Sequence, residues 1–195
     1  MGRVREILGE KADGRRYSRT LRRISAILVH MKPGKHYERP DLAEDISKAN
    51  YPEFSYRASS GVRYLSRGGV RRYASFAEML GVLKQAGKGR VTRDPSFGMP
   101  ATDGAWAQYL ADRAKPLLSS MLKLRSAASV EAALEKHRKA LHRQCITPTL
   151  DQLCVRCGIV AANEQERFRW ALSLLTDGPL SRLDIRRYPH LCTKE

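Results

Sequence analysis

Apolar residues recur at helical spacing in short runs along this chain, and proline or glycine punctuates most of them. That punctuation restricts the fold to short helices joined by tight connections. Leu21, Ile24, Ile27, Leu28 and Met31 form the first stripe, with Arg19, Arg22 and Arg23 opposite, and Lys32-Pro33-Gly34-Lys35 ends it. A second helix opens at Arg39-Pro40, where proline suits the first turn. Asp41, Glu44 and Asp45 favour its positive end, Leu42 and Ile46 are its buried pair, and Asn50-Tyr51-Pro52 breaks it. A third helix is expected from about Ser55 to Arg67, giving Val62 and Leu65 to the core, with Gly68-Gly69 as its stop. The β-rich stretch Val70–Ser75 then reads as a strand.

Ser75 suits the N-cap of a further amphipathic helix bearing Phe76, Met79, Leu80 and Leu83, with Gly87 at its end. Lys88–Gly98 reads as a basic hairpin turning at Pro95 and Gly98. Helical text resumes with Trp106, Tyr109 and Leu110, restarts at Pro116 and continues from Ser129 to about His142. Leu150, Leu153, Cys154 and the glycine of Cys157-Gly158-Ile159 match the first half of a helix-turn-helix, and Asn163–Leu175 supplies the facing helix. Two stretches end alike: Val70-Arg71-Arg72-Tyr73 follows Ser59–Gly69, and Ile185-Arg186-Arg187-Tyr188 follows Ser173–Asp184. Each is expected to be a basic strand closing a helix-turn-helix unit.

The order helix, helix, turn, helix, basic strand resembles that of winged-helix proteins, closely over residues 20–74 and loosely over 129–188. The likeness is to a very large superfamily and singles out no family within it. It implies a mainly α fold, with a winged-helix unit at the N-terminal side, a helical middle and a second, looser winged-helix-like unit. The division expected is a basic flexible arm over 1–19, a nucleic-acid-binding domain over 20–100 and a helical domain over 101–195.

Charge says what the chain touches. Lys and Arg number 36 against 20 Asp and Glu, a net charge of +16. Residues 1–100 carry 21 basic and 10 acidic side chains, and no acid lies between Glu53 and Glu78. Such a clustered field attracts polyanions, and nucleic acid is the commonest in a cytosol. The nucleic-acid-binding set expected is Arg57, Ser59, Ser60, Arg63 and Arg67 on the third helix, with Arg71, Arg72 and Tyr73 on the wing. Arg15, Arg16, Arg22, Arg23, Arg90 and Arg93 complete the expected set. A rival framing makes Phe76–Gln85 the recognition helix and Arg90–Arg93 the wing. Glu164 and Glu166 suit the second unit less well to DNA, so a protein partner or a second copy of the chain is expected there.

Zinc is the weaker reading of the four cysteines. Cys154 and Cys157 form a C-x-x-C pair, and Cys145 and Cys192, with His142 and His190 nearby, would have to complete the site. Buried thiols suit these positions better, and no cofactor is expected. Neither a Walker A loop nor H-E-x-x-H nor G-x-S-x-G is present, so the reading is non-enzymatic. No apolar run reaches membrane-spanning length and no secretory h-region stands at the N-terminus, which makes the cytoplasm the expected compartment. The function expected is sequence-specific binding of duplex DNA in a transcriptional regulator. The alternative is a non-catalytic subunit of a nucleoprotein complex.

Overall fold

Ser18 accepts a hydrogen bond from the Leu21 backbone N–H at 3.2 Å and so opens α1, Arg19–His30. The computed structural model describes residues 17–93, 102–144 and 150–177, and it is mostly helical with small antiparallel sheets. The chain divides into two compact units, Met1–Trp106 and Ala107–Glu195.

In the first unit α1 is followed by β1 (His36–Glu38), α2 (Arg39–Lys48) and a 3-10 turn at Pro52–Phe54. A hairpin of β2 (Ser55–Ala58) and β3 (Gly61–Tyr64) precedes α3 (Arg67–Met79), and β4 (Leu83–Gln85) and β5 (Arg90–Arg93) close the unit. The larger sheet has the order β1-β5-β4, all antiparallel, with Tyr37 and Gln85 both opposite Val91. Leu21, Ile24, Ile27 and Leu28 of α1, Leu42 and Ile46 of α2, and Val70, Phe76 and Ala77 of α3 are all buried. Trp106 is buried as well, and its indole N–H donates to Ser25 Oγ at 2.7 Å.

Several expectations are overturned between Ser55 and Ser75. The third helix expected at Ser55–Arg67 is the β2–β3 hairpin, with Tyr56 opposite Arg63 and Arg57 opposite Val62. The stretch offers alternating Tyr56, Ala58, Val62 and Tyr64 rather than a helical stripe, and Val62 is exposed instead of joining the core. Neither Ser59 nor Ser60 takes a positive φ, and Gly61, at φ 113°, supplies the turn's left-handed residue. The strand expected at Val70–Ser75 is the middle of α3. Gly68-Gly69 does not stop a helix but lies in its first turn, after Ser66 has capped it by accepting from the Gly69 N–H. A Cβ on Gly69 would stand 3.2 Å from Leu65 Cβ, so a bare backbone is what lets the hairpin's exit pack against the helix. Ser75 likewise lies inside α3 rather than capping a later helix, and Leu83–Gln85 is strand.

Arg23 explains how α3 is held. This guanidinium of α1 is buried; its Nε donates to the Glu53 carbonyl at 2.9 Å, and Nη1 donates to the Tyr73 hydroxyl at 2.7 Å. The Tyr73 ring also packs edge to face on Phe54. Thus α1, the 3-10 turn and α3 meet on one buried cation, which costs heavily unless every donor is satisfied.

The second unit holds most of α4 (Asp103–Met121), then α5 (Val130–Arg143), α6 (Leu150–Arg156) and α7 (Ala162–Asp177). Gly158, at a φ of 73°, turns the chain out of α6. Leu153, Cys154, Ile159, Phe168, Leu172 and Leu175 are buried, so the two helices expected there form as expected. The strand expected at Leu183–Tyr188, residues 1–16 of the arm expected over 1–19, and the turn at Pro95 and Gly98 lie outside the described residues, whereas Tyr17 is buried, Ser18 caps α1 and Arg19 opens it.

Replacing Tyr73 with Phe keeps the ring but removes the acceptor from Arg23. Stability is expected to fall by about 1.5–3 kcal/mol, the scale of a hydrogen bond to a charged group. Urea unfolding checks this, and a change below about 0.5 kcal/mol would show that the hydroxyl does not hold the guanidinium.

Candidate nucleic-acid interface

With 3.6 residues per turn, α3 divides cleanly into two faces. Gly69, Val70, Tyr73, Ala74, Phe76 and Ala77 are buried, whereas Arg67, Gly68, Arg71, Arg72, Ser75 and Met79 are exposed. Arg67, Arg71 and Ser75 stand one above another at four-residue spacing, with Arg72 on the flank. Gly68 and Ser75 keep the middle of the face low between the arginines.

Acids near this face are already engaged. Glu78, the one acid on α3, is gripped by Arg39 of α2 through two bonds of 2.9 and 2.6 Å. Glu44 of α2 accepts from Lys48 at 2.7 Å and from Arg67 at 2.8 Å. The Lys48 hydrogen bond, aided by the charge of Arg67, holds the Glu44 carboxyl below the usual carboxylate range. Arg71 has no carboxylate partner among the described residues. The exposed face of α3 therefore keeps a net positive charge.

The described members of the expected binding set are distributed over the β2–β3 hairpin, α3, β5 and α1. Arg57, Ser59, Ser60 and Arg63 belong to the β2–β3 hairpin, all exposed, and Arg67, Arg71 and Arg72 belong to α3. Only Leu65 and Ser66 separate the hairpin from α3. Arg90 stands on β5, where its Nε donates to Glu38 at 2.6 Å. Arg93, at the end of β5, donates to the Leu28 carbonyl at 3.0 Å. Arg23 and Tyr73 are buried against each other, so they leave the set of accessible groups. Arg22 is half-buried on α1, and Arg15 and Arg16 lie outside the described residues. Lys88, exposed at the β4–β5 turn between Gly87 (φ 100°) and Gly89 (φ 80°), is absent from the expected set. Its signal is the Gly-Lys-Gly text itself, which projects a cation from a turn that only glycine takes easily.

Of the expected zinc set, Cys145 and Cys192 lie outside the described residues. Cys154 is buried on α6 and Cys157, just past its end, is half-buried, both as free thiols. No group of three or more metal-ligating side chains occurs among the described residues. Burial, aided by the neighbouring Cys154, pushes the Cys157 thiol up to about 11, and burial raises Cys154 as well. Both are protonated near neutral pH, whereas the thiolate is the species that ligates and reacts.

Among the described residues no helix is long and apolar enough to cross a membrane. No protein family, curated protein or solved structure matches the chain. Its function has to be read from its own geometry.

In a chain carrying Cys145→Ser and Cys192→Ser, alkylation of the two remaining thiols should be slow near neutral pH. The rate should climb about tenfold per pH unit toward the raised pKa, because only the thiolate reacts. Mass spectrometry over a pH series checks this. Fast labelling at neutral pH in the folded chain would contradict the burial of both sulfurs.

Proposed function

We propose that residues 19–93 are a winged-helix module that binds duplex DNA with sequence preference, as in a transcriptional regulator. In this reading α3 is the recognition helix and the β4–β5 hairpin is the wing. The observation that carries it is the exposed face of α3, where Arg67, Arg71 and Arg72 surround the small residues Gly68 and Ser75. A major groove admits one helix, and arginines on that helix pair bidentately with guanine edges or clamp phosphates. Small residues between them allow the helix axis to approach the bases.

Three further observations support it. With the 3-10 turn and the β2–β3 hairpin set aside as an insertion between α2 and α3, the order α1-β1-α2-α3-β4-β5, with sheet order β1-β5-β4, is that of a helical trio backed by a three-stranded sheet ending in a hairpin. Lys88 projects from that hairpin's turn, as a wing contacting phosphate requires. The acids Glu78 and Glu44 are held by Arg39, Lys48 and Arg67, so repulsion of a phosphate backbone is reduced beside the helix. The wing of this reading is thus β4–β5 rather than the Arg-Arg-Tyr segment, which is helical.

Arg71→Ala should weaken binding to a preferred duplex by about 1–3 kcal/mol if it reads a base. If it instead meets phosphate, affinity for all sequences falls alike and the salt slope drops by about 0.9. Fluorescence anisotropy of preferred and random duplexes over a salt series separates the two. The Arg71→Ala chain binding every duplex as the wild type does, at every salt concentration, would refute the assignment of α3.

A further inference from the structure

The β2–β3 hairpin is an odd insertion between α2 and α3. It is hydrogen-bonded as a two-stranded sheet of its own, and a lone hairpin is only marginally stable in water. Both of its faces are open. Tyr56 and Arg63 share one face, and Arg57, Val62 and Tyr64 share the other, as strand alternation and the register dictate. Val62 is 66% exposed, Tyr64 42% and Tyr56 37%, although a solvated ribbon has no need of apolar groups on both sides.

Charge identifies what would cover it. Arg57 and Arg63 are its only charged side chains, and neither has a carboxylate partner among the described residues. They continue the basic series of Arg67 and Arg71, and from Phe54 to Ala77 there is no acid. An apolar or acidic protein surface would answer only half of this chemistry. Nucleic acid answers both halves: phosphates pair with the arginines, and sugars and base faces accept tyrosine and valine. Each strand has four residues, which at about 3.3 Å apiece gives a reach of roughly 13 Å from a base only two residues before α3.

We infer that the β2–β3 hairpin is a second nucleic-acid contact, which inserts Val62 and Tyr64 into a groove of the duplex held by α3 and lays Arg57 and Arg63 on the flanking phosphates. This rests on the DNA-binding reading of α3. The insertion adds affinity that does not depend on salt, because apolar and stacking contacts release no counterions. The arginines add affinity that does. Gly61, at φ 113° with open space around it, sets the ribbon's tip without bulk that would obstruct entry.

The test uses the full chain, a preferred duplex and two double variants. V62S/Y64S should lower affinity about tenfold or more at every salt concentration and leave the salt slope unchanged, on the scale of base–aromatic stacking. R57A/R63A should lower the slope by about 1.8, at about 0.9 per phosphate lost. Chains carrying V62C with C145S and C192S and a thiol-linked photocrosslinker, otherwise unaltered in the hairpin, should form adducts with the duplex that the same chain without V62C does not, which keeps the test independent of how V62S/Y64S folds. If Arg71→Ala weakens binding while both double variants bind like wild type and V62C gives no adduct, the hairpin inference falls and the α3 reading stands. If the wild-type chain binds no duplex, both fall.

Discussion

A single buried guanidinium fixes the geometry on which the proposed interface depends. Arg23 sits between α1, the 3-10 turn and α3, bonded to the Glu53 carbonyl and the Tyr73 hydroxyl. Burying a cation is costly unless its donors are met, so this site admits few rotations of α3 about its axis. With Tyr73 turned inward, Arg67, Arg71 and Arg72 must turn outward, because they occupy the opposite half of the helical wheel. The same clamp fixes the 3-10 turn from which the β2–β3 hairpin departs. One arginine is spent on structure, and several others are thereby aimed at solvent.

That contrast separates the arginines of this chain better than their number does. Arg39 holds Glu78 and Arg90 holds Glu38, while Arg93 donates to a backbone carbonyl. These ion pairs are partly or largely exposed, and pairs of that kind contribute little to stability. Their larger effect is on the field. They neutralise carboxylates beside α3 and the sheet, so Arg57, Arg63 and Arg71 act as uncompensated charge. An attraction of this sort is long-ranged at low salt and screened within about 8 Å at physiological ionic strength.

Much of the helical framework was legible in the sequence. The stripe Leu21, Ile24, Ile27, Leu28 marked α1, Pro40 and Asp41 marked the start of α2, and Gly158 marked the turn between α6 and α7. The region from Ser55 to Ser75 was not, for two physical reasons. Glycine has low intrinsic helix propensity, so Gly68-Gly69 read as a stop, yet the Ser66 cap and the fit of Gly69 against Leu65 outweigh that preference. The stripe Val70, Tyr73, Ala74, Ala77 was present but weak, since Tyr73 is amphipathic and two of the other three are alanines. The charge cluster was legible as a cluster. Which arginines it exposes was not, because the pairing of Arg23 with Tyr73 spans residues far apart in sequence.

The most direct measurement follows the arginine Nε–Hε resonances of the labelled chain as duplex DNA is added. Those of Arg57, Arg63 and Arg71 should shift or broaden, while those of Arg23 and Arg93 stay fixed because their guanidinium groups are already committed within the fold. Perturbation confined to α5–α7, or an equal response from Arg23 and Arg71, would contradict the account.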